Sequence, residues 1–238
     1  MKPKIIFLHG SGTNVDIFRI QTRHLSSLLA PHFQLIYLAA PHPCPPGPGV
    51  LPFFEGCGPY LTWMDDRSPE KEHAYWGSGG GGGDANEGAG VKKALGGDED
   101  GDGVGQGVVG VVGFSMGAKV GMEVVRRLEK EYEGGGAIRV KIMVAICGTV
   151  PFGGGGGDED GAREKGWKES LGKGLVSAES VHLIGERDPW RGESEKLVQF
   201  FGEEGRRVLR FKGGHHMPVE DAVNRQVVRM ILAACQES

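Results

Sequence analysis

The stretch "GVVGVVGFSMGAKVG", residues 107–121, decides how this chain is read. An apolar run stops at Gly113-Phe114-Ser115-Met116-Gly117, and a helical pattern begins at once. A lone serine between glycines at the end of a buried strand has two readings. One is a tight turn. The other is a nucleophile, held where the strand turns into the helix so sharply that the serine backbone is strained. Glycines two places before and two places after leave room for neighbouring backbone. The hydroxyl would then project above the sheet at a helix N-terminus, and the amide of Met116 would point into the same space. The pattern G-x-S-x-G is common by chance, so the flanking chain has to decide.

Outward from this point, apolar runs alternate with helical patterns. Strands are predicted at 4–10 ("KIIFLHG"), 33–41, 107–114, 138–148, 180–188 and 206–216. Helices are predicted at 15–30, 116–132, about 192–202 and 219–235; the first carries Ile17, Ile20, His24, Leu25, Leu28 and Leu29 at helical spacing. Continuous apolar strands separated by helices imply an α/β fold, a mostly parallel sheet of about six strands with helices on both faces. The 238 residues fit one domain, 1–238. Two Gly/Asp-rich stretches, about 77–107 and 153–166, interrupt it and read as low-complexity surface insertions with too little apolar surface to bury. Within the first, "DEDGDG" (98–103) has the acidic spacing of a calcium loop but lacks its distal glutamate and flanking helices, so no metal is expected.

Composition narrows the classes further. A net charge of −4 gives no reason to expect a nucleic-acid partner. No window of about 18 apolar residues offers a membrane span. Four cysteines (Cys44, Cys57, Cys147 and Cys235) form no C-x-x-C pair and read as free thiols of a reducing compartment, which makes the cytoplasm the expected location. Cys147 lies in an apolar run and reads as core. The C-terminal "CQES" fits a prenylation frame only formally, because Gln236 and Glu237 stand where aliphatic residues belong.

A serine hydroxyl needs a base within hydrogen-bond reach to act at neutral pH. In the strand–elbow–helix setting the chain order is serine, acid, histidine, with the acid and histidine just past strand ends on one rim of the sheet. "LIGERDPW" puts Asp188 past the fifth predicted strand, and "FKGGHHMP" puts His215 and His216 past the sixth. His215 directly follows the Gly213-Gly214 pair and is favoured over His216. Asp188 is favoured over Glu186, nearer the strand, and over Asp221, which reads as a first-turn helix charge. A second oxyanion donor is expected from "FLHGSGTN" (7–14), through the amide of Ser11 or Gly12, with His9 bonded to nearby loop backbone. Phe53, Phe54, Tyr60, Trp63 and Trp190 are candidates to contact a bulky apolar acyl group, although aromatics are more often core.

Together "KIIFLHGSGTN", "GVVGFSMGAKVG", "LIGERDPW" and "FKGGHHMP" resemble the fungal family of serine hydrolases within the α/β-hydrolase fold. They especially resemble members encoded beside polyketide synthases, the azaphilone- and citrinin-type esterases and the lovastatin-type releasing thioesterase. "PHPCPPGPGVLPFFEGCGPYLTW" (41–63) is similar to that subgroup as well, where the segment borders the substrate cavity. The resemblance implies a triad of Ser115, Asp188 and His215, no cofactor, and a polyketide thioester on an acyl carrier protein. Arg126, Arg127 and Lys130 would be possible carrier contacts, or simply a solvated helix face. Many members have glutamine where this chain has Met116. Two other functions remain open: a general short-chain carboxylesterase, and a non-catalytic binding protein on a hydrolase scaffold.

Overall fold

A computed structural model describes residues 2–63, 107–133, 139–150 and 176–236. The glycine-rich stretch 153–166, and 77–107 except for its last residue, lie outside them, as does "DEDGDG". The elements run β1 (Lys4–Leu8), α1 (Val15–Gln21), α2 (Arg23–Leu29), β2 (Gln34–Leu38), β3 (His42–Pro43), β4 (Leu61–Thr62), β5 (Val108–Phe114), α3 (Met116–Glu133), β6 (Ile142–Ile146), β7 (Glu179–Gly185), α4 (Arg191–Leu197), β8 (Arg206–Phe211) and α5 (Asp221–Gln236). A short 3-10 turn, Val198–Phe200, follows α4.

Six strands form one sheet in the order β2-β1-β5-β6-β7-β8, and each neighbouring pair is parallel. β3 and β4 form a separate antiparallel pair beside it. The central strands are apolar throughout because both faces are covered. Ile6, Leu8, Met143 and Ala145 face α3 and the α4 end of the molecule, through Val120, Val124, Leu128 and Leu197. Ile5, Phe7, Val144 and Ile146 face α1, α2 and α5, through Phe18, Leu25, Val227 and Ile231. Side chains alternate across a strand, so one run of residues feeds two cores. Edge strands β2 and β8 are only partly covered.

The helical pattern of 15–30 is two helices. Thr22 caps α1, its hydroxyl returning to the Phe18 carbonyl at 2.7 Å and meeting the Tyr37 hydroxyl at 2.8 Å. Bonding of this kind competes with helix continuation. The predicted helix at 192–202 is likewise shorter, ending in the 3-10 turn. Among the described residues no helix is long and apolar enough to cross a membrane.

Candidate active site

Ser115 sits between β5 and α3 with φ 52°, the left-handed region that a serine rarely adopts. Two features hold it there. Its N–H donates to the Ile146 carbonyl at 2.9 Å. Gly117 lies so near β1 that a Cβ on it would sit 2.1 Å from the Leu8 carbonyl oxygen, so the elbow closes only with glycine there.

Asp188 and His215 arrive from the ends of β7 and β8. Their loops touch: a Cβ on Gly185 would be 2.4 Å from the Gly214 carbonyl oxygen, and the Arg187 N–H donates to the Gly213 carbonyl at 2.8 Å. His215 Nδ1 is 2.9 Å from Asp188 Oδ2, and its Nε2 is 2.9 Å from Ser115 Oγ. The carboxylate can only accept, so Nδ1 carries the proton and Nε2 accepts from the serine hydroxyl. Asp188 Oδ1 accepts the Trp190 N–H at 2.8 Å, and the carboxylate is fully buried. The imidazole is held between Phe114 and Trp190, with ring centroids at 5.1 and 4.7 Å.

The competing residues stand elsewhere. His216 uses both ring nitrogens on backbone, Nδ1 on the Met217 carbonyl and Nε2 on the Gly214 N–H. Asp221 pairs with His24 and Arg225 at the start of α5. Glu186 is exposed.

The Met116 N–H, at the first turn of α3, and the Ser11 N–H have no hydrogen-bond partner among the described residues. Gly12 differs: its N–H donates to the Leu61 carbonyl at 2.9 Å, so of the two expected donors Ser11 is the one whose amide is uncommitted. Thr62 bridges the two uncommitted residues, accepting from Ser11 Oγ at 3.0 Å and donating to Met116 Sδ at 3.3 Å. Behind them His9 is buried and neutral, its pKa lowered by desolvation. Its Nε2 accepts the Ala40 N–H, and its Nδ1 meets the Gly10 carbonyl at 2.8 Å.

A cavity of about 160 Å³ opens over Ser115. Trp190 lines it with Phe114, Val50, Pro48, Thr149 and Gln21. The other expected aromatics do not. Trp63 is buried under His9 and donates its indole N–H to the His9 carbonyl. Phe53 is 86% exposed, and the Tyr60 hydroxyl donates to the Phe54 carbonyl. Pro48 to Val50, which form the wall instead, lie in an irregular segment whose facing no periodicity reveals. Arg126 is buried against Glu123, and the side chains of Arg127 and Lys130 lie outside the described residues.

One described cluster carries metal-ligand chemistry: Cys147, Asp188 and His215 offer atoms within 4.8 Å of one another. Burial, then the neighbouring carboxylate, pushes the Cys147 thiol up to about 12. A metal would need the thiolate, so the donor set fits proton transfer better than metal binding.

Fold and site together define a serine hydrolase of the α/β-hydrolase class. The serine hydrolase (FSH1) family model matches residues 1–227, and the chain belongs to that family. It is 32% identical to the esterase FUS5 of Gibberella fujikuroi, over 97% of this chain and 86% of the relative. It is 30% identical to the thioesterase FSL2 of Gibberella zeae, over 99% and 93%. Among solved structures, esterase PE8 superposes with a TM-score of 0.60 at 16% identity, over 98% of this chain and 93% of that one, a likeness of fold.

Proposed function

We propose that this hydrolase cleaves an ester or thioester through Ser115, His215 and Asp188, releasing or trimming a polyketide acyl chain in fungal secondary metabolism. The observation that carries the reading is the unbroken chain of two 2.9 Å contacts from Asp188 through His215 to Ser115. His215 Nε2 takes the hydroxyl proton as Ser115 Oγ adds to the acyl carbonyl. Asp188 orients the imidazole and stabilises the imidazolium. The Ser11 and Met116 amides stabilise the oxyanion, each worth about 3 kcal/mol of barrier where such donors have been removed. His215 then protonates the departing alcohol or thiol. Water, deprotonated by the same nitrogen, releases the acid and restores Ser115.

The similarity to one relative named an esterase and another named a thioesterase supports acyl transfer from oxygen or sulfur alike. The polyketide acyl group and an acyl carrier protein as its bearer rest on the resemblance to the polyketide-cluster subgroup, and a cytoplasmic setting rests on four cysteines that form no C-x-x-C pair. The test compares N-acetylcysteamine thioesters with short p-nitrophenyl esters, alongside labelling by a fluorophosphonate. Wild type should label and Ser115→Ala should not. Equal labelling of the two would overturn the triad, and faster turnover of every short ester than of any thioester would favour a general carboxylesterase.

A further inference from the structure

Gln21 closes α1 and borders the cavity that holds Ser115 and His215. Its Oε1 is buried and accepts no hydrogen bond from the described residues. The other such atom among the described residues, Glu220 Oε2, does not line this cavity. An unpaired buried carbonyl is costly. The free carbonyl is a place for a donor on a ligand, in exchange for any water that the ligand displaces. The terminal torsion of glutamine is broad, so reorienting the carboxamide toward a ligand in the cavity needs no backbone movement.

We propose that Gln21 reads a hydroxyl on the acyl chain, a few atoms from the scissile carbonyl, and that hydroxyacyl substrates are preferred over their deoxy counterparts. This rests on the acyl-transfer reading above. The missing partner of an amide oxygen is a donor, and a hydroxyl can also accept should the amide present its nitrogen. A charged group fits poorly: no Lys, Arg, Asp or Glu among the described residues lines the cavity to compensate it. Pro48, Val50, Phe114 and Trp190 supply apolar wall to the same cavity, and Thr13 and Thr149 supply hydroxyl-bearing side chains. Gln21 and Ser115 line the same cavity, about 160 Å³ in volume, which places the hydroxyl in the neighbourhood of the carbonyl.

The experiment uses 3-hydroxybutyryl, 3-oxobutyryl and butyryl groups, each as an N-acetylcysteamine thioester and a p-nitrophenyl ester. Wild type is compared with Gln21→Met, and with Gln21→Leu as a second apolar variant. Wild type should favour hydroxybutyryl over butyryl in kcat/KM by about tenfold, the factor that one neutral hydrogen bond supplies. Either variant should bring the ratio within about twofold of unity by slowing the hydroxylated substrate, with butyryl turnover changed less than about threefold. The same ratio in wild type and variants, or a wild-type preference for the oxo compound, overturns the inference and leaves the hydrolase intact. No turnover of any compound, with Ser115 unlabelled by fluorophosphonate, overturns the acyl-transfer reading as well.

Discussion

Replacing Thr13 by valine removes one hydroxyl and keeps the side-chain shape, and the loss should be felt at the oxyanion. Thr13 Oγ1 donates to the Gly10 carbonyl at 2.7 Å and lies 3.1 Å from His9 Nδ1. His9 Nδ1 meets the same carbonyl at 2.8 Å, and the Ala40 N–H on Nε2 leaves the ring proton on Nδ1. The Gly10 carbonyl and the Ser11 N–H are opposite ends of one planar peptide. Two donors aimed at the oxygen therefore fix where the N–H points. Valine leaves the carbonyl paired with His9, so the stability loss is one net hydrogen bond, about 1 kcal/mol, or a fall in Tm of about 2–4 °C. Deleting an oxyanion donor outright costs about 10²–10³ in kcat. Slackening one should cost about 10- to 30-fold, with KM within threefold because the ground-state carbonyl gains little from the amide. Steady-state kinetics on a p-nitrophenyl ester, with a thermal melt of the same preparation, measure both effects. Thr13→Ser, which keeps the donor, should restore most of kcat. A Thr13→Val enzyme with kcat within twofold of wild type, or with only KM raised, would refute the reasoning.

Asp188→Asn should keep the fold and lower kcat by about 10⁴, since the imidazole loses its preferred tautomer; a loss under tenfold would show that the carboxylate does not orient His215. Gly117→Ala should fail to fold or melt far lower, by at least about 3 kcal/mol, because its Cβ meets backbone oxygens of both Leu8 and His9; a soluble variant with wild-type Tm would contradict the closeness of α3 to β1. Stability should fall on acidification. Desolvation depresses His182 to about 3 in the fold and lowers His9 from the usual 6.5. The unfolded chain therefore binds those protons first, and stability present above about pH 6.5 is lost below it, at up to roughly 1.4 kcal/mol per pH unit for each histidine. Urea unfolding at pH 7, 6 and 5 should show this slope, and His182→Phe should remove about one proton's share of it; an unchanged slope would exclude His182.

Much of this architecture was legible because the signals were local or periodic. Buried parallel strands leave unbroken apolar runs, and the elbow glycines are demanded by backbone contacts two residues either side of Ser115. The side chains that the structure brings together, Ser115, Asp188 and His215, follow from strand ends converging on one rim. What stayed hidden depends on partners distant in sequence. The break at Thr22 leaves the apolar spacing of 15–30 intact, so the pattern reads through it. The Gly12 amide is committed by Leu61, across a bridge that nothing near Gly12 announces. Trp63 looks like a cavity aromatic in the sequence, yet its indole is drawn under His9 by a hydrogen bond to that residue's carbonyl. Gln21 ends a helix, and nothing near it in the sequence announces that it lines the same cavity as Pro48 and Val50.

Ser115 and Cys147 are the non-glycine residues with positive φ among those described, at 52° and 46°. They follow adjacent strands, β5 and β6, and the parallel ladder continues one step through each: Ser115 N–H to Ile146, Cys147 N–H to Leu183, both at 2.9 Å. Such conformations cost about 1–3 kcal/mol each and persist where surrounding structure over-determines them. At Ser115 the strain lifts the hydroxyl to the imidazole. At Cys147 it turns the thiol toward the loop that carries that imidazole, with Sγ 3.7 Å from the Gly214 carbonyl and 3.8 Å from that of His216. With its pKa pushed to about 12, this thiol stays protonated at neutral pH and acts as a donor, where a thiolate would compete with Ser115 for acyl groups and repel Asp188. The two strained turns thus serve one geometry: the first presents the hydroxyl, and the second fastens the segment from which His215 reaches it.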